Sequence, residues 1–259
     1  MRALVISDIH GNLQALEAVL AAAQTPGVAV DELWNLGDMV GYGARPNEVI
    51  GLLRRPATGR RIHVRGNHDR VCCGLTSSQG FNPIAAEAAA WTKRTLTIDN
   101  LEWLRAVPMG PILATERALC AHGSPLHEDH YIMHMRDAWA PLQRMNAEIA
   151  FFGHTHVQGS FSQQENDWEE QHPVYASWNG AAAHRITVPQ GSRHLINPGS
   201  VGQPRDGDWR AAFAVYEFGT AAEESVTFHR VPYDVEAAQA AIRAAHLPDR
   251  LAARLRTGR

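Results

Sequence analysis

Short apolar runs alternate with helical patterns along the first half of the chain. Five runs of apolar and β-branched residues predict strands, at residues 2–7, 32–37, 61–66, 118–123 and 149–154. Helical spacing of apolar residues lies between and after them, near residues 13–20, 45–55, 83–96, 101–105 and 136–147. An alternation of this kind predicts an α/β sheet with crossover helices.

The second half of the chain departs from this rhythm. Residues 157–193 are polar and rich in Gln, Ser, Gly and Trp, which predicts hairpins or a long excursion. Residues 211–218 and 225–231 alternate as antiparallel strands do, and the Ala- and Arg-rich tail 235–256 predicts a helix. We interpret the chain, residues 1–259, as one domain that contains this polar excursion.

Composition excludes several classes of protein. The net charge of −3 and pI near 6.5 give no basic field, so we expect no extended nucleic-acid surface. The three cysteines, Cys72, Cys73 and Cys120, are odd in number and contain no CxxC pair, which argues against a disulfide framework. No apolar stretch approaches the roughly 18 residues of a membrane span, and no signal-peptide pattern opens the chain. We therefore expect a cytoplasmic protein without a membrane partner.

Polar residues beside glycine follow each of the five predicted strands of the first half. They are Asp8 and His10, then Asp38, then Asn67 with His68 and Asp69, then His122, and finally His154 with His156. Residues i and i+2 of a strand point the same way, so we expect the first two to face one point. In open α/β sheets a site lies beyond the carboxyl ends of the strands, which predicts that all five groups meet.

The donor set indicates a pair of metal ions. Two carboxylates, four histidines and one amide oxygen are too many ligands for one cation and suit two. Without a thiolate, this set accepts Mn, Fe, Zn, Co or Ni, and Mg is disfavoured by the imidazoles. One carboxylate must then bridge two cations about 3.5–4 Å apart.

The ordered motifs D-x-H, G-D-x-x-G, G-N-H-D, H and G-H-x-H resemble those of the calcineurin-like metallophosphoesterase superfamily. The closing stretch INPGSVGQPR, residues 196–205, is similar to that of its small bacterial and archaeal phosphodiesterase branch. The resemblance implies a four-layer α-β-β-α sandwich, in which two mixed β-sheets lie face to face with helices outside. It also implies two divalent metal ions, with Mn favoured.

Each motif position implies a role for one residue of this chain. By resemblance, one metal is held by Asp8, His10 and His156, and the other by Asn67, His122 and His154. Asp38 bridges the metals, and His68 protonates the leaving oxygen while a metal-bridging hydroxide attacks phosphorus. Asp69 either orients His68 or caps the next helix.

One departure from the sequence pattern of the wider family reduces the number of substrate classes to consider. Protein Ser/Thr phosphatases carry Asp-Arg-Gly after the G-D motif, whereas this chain has Gly41-Tyr42-Gly43, so a protein phosphatase is not expected. The chain also lacks the length and charge of the DNA-processing nucleases. Small phosphodiesters and nucleotides remain as candidate substrates, and Tyr42 and Arg205 are candidate substrate-binding residues. For Arg205 a structural salt bridge is an equal alternative.

Two other functions stay open. A dinucleoside polyphosphate hydrolase needs a base pocket, for which Trp168 and Trp178 are candidates; these tryptophans also fit core packing or a homodimer contact. A non-catalytic scaffold is the alternative from another class, but relatives of that kind lose ligands that this chain retains. His127, His130 and His134 lie just after the His122 motif. The spacing of His130 and His134 can hold zinc, but no Glu lies in the zincin position between them, and we interpret the stretch as a surface or substrate-facing loop.

Overall fold

Two six-stranded mixed β-sheets form the centre of the molecule. The computed structural model describes residues 1–55, 59–219 and 224–259. In spatial order, the first sheet contains β3 (Arg61–His63), β2 (Glu32–Asn35), β1 (Arg2–Ile6), β11 (Ala211–Glu217), β12 (Glu224–Val231) and β9 (Ala182–Val188). The second sheet contains β4 (Ile112–Leu113), β5 (Ala118–Cys120), β6 (Ile149–Phe151), β10 (Arg193–Asn197), β7 (Gly159–Gln164) and β8 (Asp167–Gln171).

The parallel strands lie on one side of the first sheet and at the centre of the second. In the first sheet β1, β2 and β3 are parallel, and β11, β12 and β9 continue it in antiparallel order. In the second sheet β5, β6 and β10 are parallel, with antiparallel β4 on one side and β7 and β8 on the other. The parallel strands therefore direct their carboxyl ends to one edge of each sheet.

Helices cover the outer faces. They are α1 (Leu13–Ala22), α2 (Pro46–Arg54), α3 (Asn67–Cys72), α4 (Pro83–Thr95), α5 (Ile98–Ala106), α6 (Met135–Arg144), α7 (Val235–Ala244) and α8 (Asp249–Ala253), followed by a 3₁₀ turn (Arg254–Arg256). Asn12, Asn82, Thr97 and Asp234 begin four of them, each accepting a hydrogen bond from a backbone N–H in the first helical turn. Among the described residues, no helix has the length and apolar character to cross a membrane.

Three apolar cores separate four layers. Strand alternation sends Ala3 and Val5 of β1 into the core between the sheets, and Leu4 and Ile6 into the core beneath the helices of the first sheet. A third, smaller core packs α6 against the second sheet around Leu195. The fold is therefore the four-layer α-β-β-α sandwich that the resemblance implied.

The predicted tail helix 235–256 is wrong as a single element. α7 ends at Ala244, the chain turns through His246 in a left-handed conformation, and α8 starts after Pro248. Proline lacks the N–H that a continuing helix needs, and the residue before proline disfavours helical dihedrals. The tail therefore folds back as a second short helix, and its arginines come to a different face of the molecule.

The polar stretch 157–193 contributes strands to both sheets. β7 and β8 form a hairpin at one edge of the second sheet, whereas β9 pairs with β12 at the edge of the first. Of the two tryptophans, Trp168 packs against the core under α6, and Trp178 is 61% exposed. For Trp168, core packing is thus the alternative that the structure supports.

Candidate metal centre

The five polar groups lie in turns beyond the strands rather than on them. β1 ends at Ile6, two residues before Asp8, and β6 ends at Phe151, three residues before His154. Asp8 and His10 do face one point, as predicted, but strand alternation is not the cause, because neither residue lies on a strand. Both residues adopt left-handed backbone conformations, with φ of 53° and 50°, and the turn brings their side chains together.

The structure brings all seven predicted ligands together in two buried groups. The first group comprises Asp8, His10, Asp38 and His156, whose ligand atoms lie within 4.8 Å of one another. The Oδ1 atom of Asp8 is 3.3 Å from His156 Nε2, and Asp38 Oδ2 is 3.7 Å from His10 Nε2. These carboxylates and rings are almost wholly shielded from solvent, and their ligand atoms are close enough together to hold a metal ion.

Asp38 also belongs to the second group. Its Oδ2 atom is 3.4 Å from His122 Nε2, and His154 completes a cluster within the same 4.8 Å limit. Asn67 adds an amide oxygen, because its Oδ1 lies 3.1 Å from His122 Nε2. Asp38 is therefore the one carboxylate that faces both groups.

The histidine tautomers fit a metal. The Nδ1 atoms of His10, His122 and His156 lie 2.6–3.2 Å from the backbone carbonyl oxygens of Val40, Leu36 and Gln203, so each Nδ1 carries the proton and donates it. In neutral rings the Nε2 atoms then carry lone pairs. Those of His10 and His156 point at each other across 3.1 Å, an arrangement that a cation between the rings stabilises.

Unpartnered polar atoms mark the same place. Within the described residues, Asp8 Oδ1 and His154 Nε2 are buried without a hydrogen-bond partner. An unsatisfied buried donor or acceptor is costly and rare in folded proteins. The residue types of the cluster and these unpartnered atoms therefore fit the binding of divalent cations.

Burial and mutual charges set the pKa values of the ligands. Burial lowers the pKa of His10 well below its usual range and that of His154 to about 3, so both rings are neutral. Burial opposes ionisation of Asp8 and Asp38, but the neighbouring histidines together outweigh burial, chiefly His156 for Asp8 and His122 for Asp38, and hold both pKa values well below normal. Neutral imidazoles and ionised carboxylates are the forms that bind a metal.

His122 differs from the other histidines. Burial disfavours its charged form, but Asp38 outweighs burial and raises the His122 pKa to about 9. In the metal-free protein a proton on Nε2 therefore balances the Asp38 carboxylate. A cation held by Asp38 and His122 would take the place of that proton.

His68 lies beside the ligands at the start of α3. Its ring centroid is 4.9 Å from that of His10 and 4.6 Å from that of Phe81, and its backbone N–H donates to Asp38 Oδ1 at 2.8 Å. Burial lowers the pKa of His68 to about 4, which makes the ring neutral. His68 is therefore a titratable ring that lies next to the cluster but belongs to neither of the two groups of predicted metal ligands.

Asp69 has the contacts of a helix cap. Its two carboxylate oxygens accept hydrogen bonds from the backbone N–H groups of Gly66, at 3.0 Å, and Val40, at 3.2 Å. Burial and the nearby Asp38 raise the Asp69 pKa to about 7. Of the two roles that the sequence left open, these contacts match the cap, and they tie the turn after β2 to α3.

Two candidate substrate-binding residues lie together at the mouth of the cluster. The Tyr42 ring is 4.5 Å from that of His68, and the Arg205 guanidinium carbon is 5.9 Å from the Tyr42 ring centroid. The sequence did not single out Tyr131, whose ring stacks on His154 at 3.9 Å. Its place in a stretch of histidines after the His122 motif was the only local signal.

The stretch 196–205 braces the site from behind. Ser200 Oγ donates to the carbonyl oxygen of Asp8 at 2.7 Å, and the Asn197 side chain donates to the carbonyl oxygen of Gly153 at 3.0 Å. Both contacts hold turns that carry ligands. Residues 196–205 therefore support the site by donating hydrogen bonds to the backbone of distant turns. No local sequence pattern predicts these contacts.

The remaining predicted residues lie outside the cluster. His127, His130 and His134 are exposed; the first two rings stack at 4.2 Å, and the third precedes α6 as its cap residue. This is the surface loop that we expected. Cys72, Cys73 and Cys120 are buried thiols.

Comparison with known proteins identifies the family. A model of the calcineurin-like phosphoesterase superfamily domain matches residues 1–221. The chain belongs to this family, as the motifs predicted, and its class is that of enzymes that hydrolyse phosphate esters.

Relatives of similar length support the assignment. The chain is 32% identical over 257 residues to the uncharacterized protein MJ0912 of Methanocaldococcus jannaschii, covering 98% of this chain and 97% of that protein. A metallophosphoesterase from Sphaerobacter thermophilus superposes with a TM-score of 0.82 at 40% identity, covering 100% of this chain and 99% of that one. The bis(5'-nucleosyl)-tetraphosphatase (symmetrical) of Sodalis glossinidius is 28% identical over 122 residues, only 47% of this chain and 43% of that enzyme.

Proposed function

We propose that this protein is a two-metal phosphodiesterase that acts on small phosphodiesters or nucleotides. The observation that carries the proposal is Asp38, whose Oδ2 faces both buried donor groups. In this proposal Asp8, His10 and His156 complete one site, and Asn67, His122 and His154 complete the other. We propose Mn as the metal, while the donors also suit Fe, Zn, Co or Ni.

The chain's own residues prepare the site for this reaction. Two divalent cations supply Lewis-acid stabilisation of phosphate charge and activate water as the nucleophile. The carbonyl groups that hold the Nδ1 protons of His10, His122 and His156 fix the rings in the ligating tautomer. Burial of the donors removes competing water, which strengthens their electrostatic interactions.

We assign the leaving-group proton to His68. Its ring lies next to the donor cluster, between Tyr42 and Phe81, and is not used by either donor group. Because burial keeps this ring neutral, an anionic phosphate group nearby is what favours its protonated form. The side chain can then stabilise and protonate the departing oxygen. In this scheme Asp69 positions the turn that carries His68.

A dinucleoside polyphosphate hydrolase is the second candidate. Its support is the similarity of about half the chain to the Sodalis glossinidius enzyme. A scaffold without catalysis has less support, because each ligand position and His68 are occupied by residues able to act.

The proposal is tested with the Mn-reconstituted protein on two substrates that share a 4-nitrophenol leaving group. We expect hydrolysis of bis(4-nitrophenyl) phosphate and much slower hydrolysis of 4-nitrophenyl phosphate. His68→Ala should lower kcat on the diester about 10²- to 10⁴-fold, the range for loss of a general acid, while Mn content is unchanged.

His130→Ala is the matched control. It removes an exposed imidazole outside the cluster and should retain wild-type activity. Diester hydrolysis that survives His68→Ala would contradict the assigned role of His68. Absence of diester hydrolysis by protein with two bound Mn ions would refute the phosphodiesterase.

A further inference from the structure

A basic cleft of 980 Å³ lies against the metal centre. The walls include Tyr42 and Tyr131, which lie near the predicted metal ligands, and Arg205 at the end of the stretch 196–205. Arg250 and Arg254 from the C-terminal tail complete the basic lining. None of the described residues that line this cleft has a carboxylate side chain. The cleft therefore concentrates positive charge where a substrate enters.

The arginines of the cleft have no Asp or Glu partners. Among the described residues, no Asp or Glu carboxylate lies within 4.0 Å of the guanidinium groups of Arg205, Arg250 or Arg254. Arg205 donates to the side-chain oxygen of Gln203 at 3.1 Å, and Arg254 Nε donates to an oxygen of Arg259, the last residue of this chain, at 2.6 Å. Burial, then Arg205 and Arg250, lower the Arg254 pKa, as expected for crowded cations.

Neighbouring arginines in the tail behave differently. Arg256 pairs with Glu236, and Arg243 pairs with Asp249 at 2.7 Å. Neither of these two side chains lines the cleft, and each forms its ion pair outside it. Among the described arginines of α7, α8 and the 3₁₀ turn, those without an Asp or Glu partner, Arg250 and Arg254, are thus the ones that line the cleft.

Aromatic contacts connect the cleft to the metal ligands. Tyr42 contacts His10, with ring centroids 4.7 Å apart, and Tyr131 stacks on His154 at 3.9 Å. The Arg205 backbone N–H donates to the carbonyl oxygen of His156 at 3.1 Å. A group bound by the arginines therefore lies next to a phosphate held at the metal centre.

We propose that Arg205, Arg250 and Arg254 form a subsite for a second phosphate group of the substrate, joined to the phosphate that is cleaved. This inference rests on the proposed function and names its substrate class, a nucleotide with a polyphosphate chain. Guanidinium groups bind phosphate oxygens through paired, charge-assisted hydrogen bonds, and each of these arginines keeps N–H donors beyond the single hydrogen bond described for Arg205 and for Arg254. Arg250 and Arg254 lie beyond residues 1–221, so the family match does not specify them.

Binding to metal-free protein isolates the subsite from the metal centre. We would titrate inorganic tripolyphosphate into chelator-treated, dialysed protein by calorimetry. The double variant Arg250→Gln/Arg254→Gln should bind at least ten-fold more weakly than wild type, whereas Arg256→Gln, in the same 3₁₀ turn, should bind as wild type does. Arg250→Gln alone, at an exposed position, provides a variant whose folding is not at risk. Equal binding by all variants would overturn the subsite.

Kinetics of the Mn-loaded protein distinguish the sources of the second phosphate. Diadenosine tetraphosphate and adenosine triphosphate both carry it, and bis(4-nitrophenyl) phosphate does not. In the double variant, kcat/KM should fall at least ten-fold more for one or both nucleotides than for the diester, and the nucleotide more affected identifies the source. An equal fall for all three substrates would refute the subsite.

Failure of the proposed function gives a different result. Wild-type protein with bound Mn that hydrolyses none of the three substrates would refute the phosphodiesterase. The tripolyphosphate titration would still decide whether the arginines bind phosphate.

Discussion

Left-handed backbone conformations are concentrated at the metal centre. Six residues of this region, none of them glycine, have φ between 50° and 68°: Asp8, His10, Asp38, Tyr42, His154 and His156. Such conformations cost energy for residues with a Cβ atom, although Asp and His tolerate them better than most. They persist here because hydrogen bonds from distant segments to the backbone fix the turns, as the Ser200 hydroxyl does when it donates to the Asp8 carbonyl oxygen.

Gly66 leaves the space that Asp38 occupies. A Cβ atom at this position would overlap Asp38 Oδ1 and lie 2.5 Å from the Asp38 backbone nitrogen. Gly66→Ala should therefore displace the shared carboxylate and reduce bound Mn from two ions per chain to one or fewer. Elemental analysis after dialysis measures this ratio.

Gly51 in α2 is the matched control for this substitution. A Cβ atom there would have no neighbour within 4 Å, so Gly51→Ala should keep both metals. It should also stabilise the helix by about 0.5–1 kcal/mol, because alanine loses less backbone entropy than glycine. A Gly66→Ala protein with its full metal content would disprove the spatial argument.

At the scale of elements, helix starts were visible in the sequence and strand ends were not. Asn12 caps α1 as predicted, because the side chain that caps a helix is a local feature. The five strands predicted in the first half end one to three residues earlier than predicted, because apolar residues such as Leu36 and Val64 continue the apolar pattern into the turns. Helix α3, which carries His68, was missed because six residues are too few for a periodic pattern.

Phe151 of β6 joins the two sheets. Its ring is fully buried and lies 5.7 Å from Trp34 and 5.1 Å from Tyr216, both of which belong to the first sheet. Phe151→Ala should lower the free energy of unfolding by about 3–5 kcal/mol, through lost burial and the cavity that remains. Urea denaturation measures this loss. Leu113→Ala, at a site 59% exposed, should change stability by about 0.5 kcal/mol or less, and similar losses in both variants would contradict the role of Phe151.

For the whole molecule, buried neutral histidines make stability depend on pH. Burial lowers the pKa values of His63, His194 and His229 to about 4, from an ordinary value of 6.5. Between these values the unfolded chain binds more protons than the folded one, so stability is complete above about pH 6.5 and is lost as the pH falls toward 4.

The measurement is urea unfolding of chelator-treated protein between pH 4 and 8, which keeps metal release out of the result. His194→Gln should flatten the pH dependence, and the difference between the proteins should change by about 2 kcal/mol across this range. Gln can retain a polar contact with Ser192, whose hydroxyl lies 2.7 Å from the His194 ring. An unchanged slope in the variant would show that His194 does not stay neutral in the folded protein.

The sequence by itself determined most of the α/β alternation of the first half, the N-cap of α1, and the types and order of the polar residues that meet in the buried cluster. These features depend on local periodicity, on side chains that bond to their own turn, and on polar residues beside glycine. Tertiary structure alone decided which sheet β9 joins and how the tail arginines reach the cleft. Those outcomes depend on contacts between residues far apart in the chain, as with Arg250 and Arg254 beside Tyr42, and no local pattern encodes such contacts.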